Sequence, residues 1–528
     1  MTSKQEKKVQ FDDMKLPEGT MKAKAFFWQD TVNLMPLAKE DTKINMASAR
    51  PTKYVNENPE NTKVIGIMGA STTHEGRYTA FLYQYYATRY PGSNIILLNK
   101  GAAGDGPTWM LERMEWDIYN ENDPLGYGAC DEVYVCLGGN ELSYAAYTDG
   151  RMDEDEYEDY YNGVNKYKND PNKIGQTVPS MRKRVDDVMV HYKELLQWAK
   201  ENNKIITVGP PTIFDESDNF ESTLSYGICR GANHVFGMLA DELEKFAAEN
   251  DMPYVNLWRA TNEMTDEIRA NHPEATTVIT RSDGIHHSDN GGYLVGYAFV
   301  RGQETDEIVA SVEIDANNGS TVTDTATVSD LSYSSTGVSY NYLAGALPLY
   351  AKSAEYKYAE NYGVDITNTM NKEIIKVTGL EEGTYTIKMV GVEVCKVSAD
   401  DLANGVNVGI MDNNPGQIQS KAAYDNYYAR RKTHEGELRT LCNCEHWTRV
   451  ANYKLYGVAY NDPMYASLTA DEWVALCLKL KAQTTITGSE NYATNKYKQD
   501  TFVAEVRACI DGLAKDTIPT QHLVEIYK

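Results

Sequence analysis

The sequence predicts an α/β protein in three parts: a three-layer, doubly wound domain with five parallel strands over 61–303, a β-rich domain over 304–412, and a helical region over 413–528. Three observations predict it. Between about 61 and 303, short continuous apolar runs alternate with amphipathic helical stretches, as parallel strands buried on both faces require. After about 304 the segments turn short, β-branched and punctuated by Gly and Asn, which reads as antiparallel sheet. From about 415 helical periodicity returns. Residues 1–60 have mixed polarity and no long period, and are read as an N-terminal extension.

The elements follow in order. The first strand is Val64-Ile65-Gly66-Ile67-Met68, followed by a helix through Tyr78, Phe81, Leu82 and Tyr85 that Pro91-Gly92 closes. Asn94-Ile95-Ile96-Leu97-Leu98 is the second strand, leading into a helix from about Trp109 to Ile118. Glu132-Val133-Tyr134-Val135-Cys136-Leu137 is the third. A long polar insertion precedes a strong helix, Met181 to Ala199, with Val185, Val188, Met189, Leu195 and Leu196 on one face. Lys204-Ile205-Ile206-Thr207-Val208 is the fourth strand, then a helix from Val235 to Ala248, and Tyr254-Val255-Asn256-Leu257 is the fifth. Five such strands fit a flavodoxin-like sheet. Downstream, Thr321–Ser329, Gly337–Tyr342, Glu373–Val377 and Gly383–Val390 are the expected strands, and Phe502, Val506, Ile510 and Leu513 mark a helix.

Composition narrows the function. With 528 residues the chain needs more than one core. Its 51 basic and 76 acidic residues give −25, which argues against nucleic acid and against anionic lipid as partners. No run of about 18 apolar residues predicts a membrane span. No hydrophobic leader is visible from Met1 to Met21, so the chain is cytoplasmic, exported by another route, or shorn of a leader; a secreted or cell-surface location is preferred. Eight cysteines are scattered without a disulfide framework. Cys442 and Cys444 lie near His434 and His446 and can be read as metal ligands; reduced thiols are the plainer reading.

In an open α/β sheet, ligands gather outside the carboxyl ends of the strands. After the first strand stands Gly69-Ala70-Ser71-Thr72-Thr73-His74, a turn that exposes a hydroxyl and backbone N–H groups at a helix start. A Ser there also serves as an ordinary N-cap. After the second comes Gly101-Ala102-Ala103-Gly104-Asp105-Gly106, where the backbone can approach a ligand and Gly104 can offer an N–H. After the third comes Gly138-Gly139-Asn140-Glu141, with an amide donor. Further on, Asp283-Gly284-Ile285-His286 places a carboxylate beside an imidazole, which leaves the other ring nitrogen free as a base. His287 competes for that role, and the three-residue spacing favours His286.

The order G-x-S, a Gly-rich block, G-x-N and D-x-x-H resembles the SGNH (GDSL-type) serine hydrolases over about 61–303. That resemblance implies Ser71 as nucleophile, His286 as base and Asp283 as its orienting partner. It further implies an oxyanion hole of the Ser71 N–H, the Gly104 N–H and the Asn140 side chain, with no metal or organic cofactor. Leu347-Pro348-Leu349, Val377–Tyr385 and Leu402–Asn407 look like the β-appendage of some bacterial members. Two positions depart from the pattern: Ala70 stands where an Asp is usual, and Glu141 where another Asp is usual.

The insertion over 142–178 combines acids at 153–156, 158 and 159 with Tyr144, Tyr147, Tyr157, Tyr160, Tyr161 and Tyr167. Tyrosines beside carboxylates suit sugars, although a solvated acidic loop accounts for the same composition. His74, Tyr144 and Tyr147 are candidate substrate-rim residues. No apolar lid suited to a lipid interface is present. The expected activity is removal of O-acetyl groups from a glycan. A short-chain acyl esterase or thioesterase, and a non-catalytic glycan-binding or structural protein on a retired hydrolase scaffold, are the alternatives. The oligomeric state is left open.

Overall fold

The computed structural model describes residues 53–142, 171–215 and 232–528. Its first sheet is parallel: β1 (Lys63–Gly69) lies between β2 (Ile95–Asn99) and β3 (Glu132–Cys136), and β4 (Ile205–Val208) completes the order β2-β1-β3-β4. Ile65 stands opposite Leu97, and Ile67 opposite Tyr134. Side chains alternate across a strand, so a sheet buried on both sides needs apolar residues at every position. Val64 and Met68 accordingly enter one core with Val185, Val188, Leu239 and Leu243, while Ile65 and Ile67 enter another with Phe81, Leu294, Val295 and Phe299. The helices that close these faces are α1 (Ser71–His74), α2 (Arg77–Arg89), α3 (Pro171–Glu201), α4 (Ala232–Glu249), α5 (Leu257–Asn271) and α6 (Asp289–Gly302).

The expected fifth strand is reduced to one parallel bridge between Val208 and Tyr254. Val208 N–H donates to Pro253 O and Val255 N–H to Val208 O, each at 3.1 Å. The extended stretch ends there because Asn256 accepts from Arg259 N–H and caps α5, leaving too few residues for a ladder. The expected helix from Trp109 to Ile118 is broken into a 3₁₀ turn (Pro107–Trp109), an α turn (Met110–Arg113) and a π turn (Met114–Ile118).

Beyond 304, two sheets face each other across a core that includes Val312, Ile314, Tyr340, Val377, Tyr385 and Ile526. One sheet runs β11 (Val392–Ser398), β10 (Thr384–Met389), β13 (His522–Tyr527), β8 (Gly337–Ala344), β7 (Ala326–Ser334); the other runs β12 (Val406–Asn407), β9 (Lys372–Thr378), β5 (Ile308–Asp315), β6 (Thr321–Asp324). The pairing is not wholly antiparallel, since β5 and β9 run parallel.

The C-terminal region is not a purely helical tail. Its last residues form β13 at the centre of a sheet, pairing Ile526 with Ile387 on one side and Val338 on the other. Its long helix α9 (Ala429–Tyr456), downstream of the short pair α7 (Ala354–Asn361) and α8 (Ile366–Met370), shares the core of the parallel sheet. Leu438, Leu441 and Cys444 of α9 pack there with Leu98 and Met114. Burying each leucine is worth roughly 1.5–3 kcal/mol, enough to fix α9 on the sheet.

Candidate active site

Ser71 opens α1 directly after β1, with Ala70 as a cap residue that has no side-chain bond to offer. His286 lies on the turn before α6, and its Nε2 is 2.9 Å from Ser71 Oγ. The ring's Nδ1 is 2.8 Å from Asp283 Oδ2. Asp283 Oδ1 also accepts the backbone N–H of Ile285 at 3.1 Å and of His286 at 2.9 Å. The turn therefore closes on the carboxylate that faces the ring.

Burial acts to raise the Asp283 pKa but is outweighed by the bonds from the His286 ring and backbone, which hold it at about 2. An ionised carboxylate only accepts, so Nδ1 carries the ring proton, and in the neutral imidazole Nε2 is left to accept from the Ser71 hydroxyl.

The loop after β2 is held against this serine. Lys100 N–H donates to Ile67 O and Ala102 N–H to Gly69 O, both at 2.8 Å, which prolongs the β1–β2 pairing past the strand ends. A turn over 102–105 follows, closed by Asp105 N–H to Ala102 O at 3.2 Å, with Gly104 at φ +80°. Asn140, beyond β3, donates its side-chain amide to Asp105 O at 2.6 Å. Ser71, Gly104 and Asn140 thus come from the ends of three adjacent strands.

Beneath the loop lies a buried ionic cluster that the motifs did not reveal. Arg113 bridges Asp105 at 2.5 Å and Asp117 at 2.6 Å. Arg439 of α9 forks onto Asp117 at 2.9 and 2.8 Å, and Lys100 meets Asp123 at 2.7 Å. Three cations face three carboxylates, so the cluster is balanced, which a set of charges this deeply buried requires. Burial tends to raise the pKa of Asp105, but Arg113 and His446 overcome it and hold the group below its ordinary value.

The other sequence candidates are placed as follows. His287 is buried, with Nε2 2.9 Å from Thr212 Oγ1, and burial lowers its pKa to about 3. His74 turns toward α9, where its Nε2 is 3.4 Å from Thr440 Oγ1, and burial lowers its pKa to about 4. Glu141 lies so close to Gly106 that a Cβ on Gly106 would stand 1.4 Å from its Oε1, and burial raises its pKa to about 8. Tyr144 and Tyr147 lie outside the described residues, as does most of the 142–178 insertion.

Cys442, Cys444, His434 and His446 all lie on α9. His446 Nδ1 is 2.7 Å from the Tyr460 hydroxyl, and Cys444 Sγ is 3.4 Å from Cys477 Sγ. Among the described residues no group of three or more His, Cys, Asp or Glu side chains is arranged to hold a metal ion. Among them, too, no helix is long and apolar enough to cross a membrane.

Sequence reasoning also missed the charged frame beside the triad. Glu75 joins Arg281 at 2.6 Å and also pairs with Arg77, while Asp289 takes Arg77 at 3.1 Å and Lys432 at 3.0 Å. Glu75 is four residues from Ser71 and Arg281 two from Asp283, so a search for opposite charges flanking the motifs finds this pair.

Comparison with protein families and with curated proteins returns no match. Among solved structures, the chain is similar to a gut microbial diltiazem-metabolizing enzyme, with 21% identity and a TM-score of 0.68, over 91% of this chain and 99% of that one. Also found are the acetylxylan esterase Axe2 from Geobacillus stearothermophilus (18% identity, 47% of this chain and 96% of that one, TM-score 0.30) and the acetyl xylan esterase AlAXEase (18%, 45% and 98%, 0.30). The first of these likenesses spans all three parts of the chain, and at that identity it is a likeness of fold.

Proposed function

We propose that the protein is a serine-dependent ester hydrolase of the SGNH type that removes O-acetyl groups from a glycan. The observation that carries this reading is the unbroken chain Asp283–His286–Ser71, with contacts of 2.8 and 2.9 Å. In this reading the Ser71 hydroxyl attacks the ester carbonyl as His286 Nε2 takes its proton, and Asp283 steadies the imidazolium. The tetrahedral oxyanion is met by the N–H groups of Ser71 and Gly104 and by the Asn140 amide. His286 then protonates the departing alcohol. Water, deprotonated by the same nitrogen, hydrolyses the acyl-serine and restores the hydroxyl.

The glycan is supported by the composition of the 142–178 segment, rich in tyrosine and carboxylates, which follows Asn140 in the sequence. The positions that depart from the family pattern, Ala70 and Glu141, are not among the residues given a chemical step. A fluorophosphonate tests the reading: intact mass and peptide mapping are expected to show one adduct, on Ser71, that Ser71→Ala and His286→Ala lose. A folded wild-type protein that takes no adduct contradicts it.

A further inference from the structure

The turn that carries Gly104 leaves one question to chemistry outside the α/β domain. Gly104 at φ +80° is the third residue of a type II turn. Type I and type II turns differ by a flip of their central peptide, here Ala103–Gly104, and glycine accepts both conformations. In a trans peptide the C=O and N–H point in opposite directions, so a flip would exchange the Gly104 N–H for the Ala103 carbonyl oxygen. An oxyanion donor would become an acceptor. The glycine permits the required orientation without selecting it.

The selecting contact comes from α9. Trp447 Nε1 donates to Ala103 O at 2.9 Å, and its half-buried ring lies against Gly104, 3.2 Å from where a Cβ would stand. Among the described residues no acceptor takes the Gly104 N–H. Seven residues earlier, on the same face of the helix, Thr440 meets His74 of α1, and Arg439 Nε donates to Gly101 O at 3.1 Å. A single helix more than 300 positions downstream therefore grips the serine turn and the donor loop together.

Resting on the hydrolase reading above, we infer that Trp447 is a positioning residue for the reaction. By holding the Ala103 carbonyl it fixes the Gly104 N–H toward the forming oxyanion, and a hydrogen bond at one end of an amide also polarises the other.

The test is Trp447→Phe, which keeps the ring packing and removes the N–H. Its kcat on a small acetyl ester is expected to fall roughly ten-fold, less than the loss of a direct donor, with KM moving less than about two-fold. Affinity for a boronate that mimics the tetrahedral intermediate is expected to fall by the same factor as kcat/KM. Gly104→Ala disturbs the same peptide from its other end, because Ala resists positive φ and its Cβ would stand 3.2 Å from the Trp447 ring, and is expected to lose at least as much kcat. An active wild type with Trp447→Phe unchanged in kcat and boronate affinity overturns the inference. So does a loss that appears only in KM, which would make Trp447 a wall of the substrate cleft. A wild type inert to esters and to the phosphonate overturns the hydrolase reading itself, and this inference with it.

Discussion

The Asp283 carboxylate holds His286 twice, accepting its backbone N–H on Oδ1 at 2.9 Å and facing its ring Nδ1 with Oδ2 at 2.8 Å. One side chain thus sets both the turn and the tautomer. Asp283→Asn separates the two effects. The amide oxygen still accepts the backbone N–H groups, but the NH₂ faces Nδ1 and drives the ring proton to Nε2, where it blocks acceptance from Ser71. The expected result is a fold that survives and a kcat lower by roughly a thousand- to ten-thousand-fold. Stability adds a second signature. A carboxyl held at about 2 contributes stability that is present above its unfolded pKa and lost as pH falls through its folded one. Melting temperatures of wild type and Asp283→Asn are expected to differ at pH 7 and converge toward pH 2.

His287 is the neighbour that competes with His286 for the role of base, against the three-residue spacing. Its ring is fully buried beside Thr212, with a pKa of about 3, so it stays neutral in the folded protein. The unfolded chain binds a proton there near pH 6.5, so this contribution is complete above that pH and erodes as pH falls from 6.5 toward 3. The erosion is about 1.4 kcal/mol per pH unit for one proton. Denaturant titrations of His287→Gln are expected to show that much less acid sensitivity than wild type, with kcat within about three-fold. A collapse in kcat at unchanged stability would return the base role to His287.

Glu141 lies pressed against Gly106, and burial raises its pKa to about 8. A carboxyl raised this far stabilises the fold most below its unfolded pKa, near 4, and that contribution is lost as pH rises through 8. Glu141→Gln keeps the shape without the charge. Its melting temperature relative to wild type is expected to improve from pH 5 to about pH 8 and then level off, and a constant difference over that range would show that the carboxyl is not held protonated.

How much of this was legible depended on sequence distance. Ser71, Gly104, Asn140 and the Asp283–His286 turn could be found because each directly follows a strand or opens a helix, and strand ends are marked by apolar runs. The fifth strand was over-read because Tyr254-Val255-Asn256-Leu257 has the right residues, while the Asn256 cap halts the ladder. β13 escaped because six residues after a helix carry no sign of partners at 337–342 and 386–389. Trp447, Arg439 and His446 were equally hidden: the sequence shows only that helical periodicity returns after about 415, and nothing local says that this helix seats on the loop after β2.

The most direct test is hydrolysis of a small acetyl ester by wild type and Ser71→Ala, matched for melting temperature. Turnover by wild type and loss of at least a thousand-fold in kcat by the variant is the expected result, since the nucleophile carries both half-reactions. Equal rates in the two proteins, or none in either, would contradict the assignment of Ser71 and the hydrolase reading built on it.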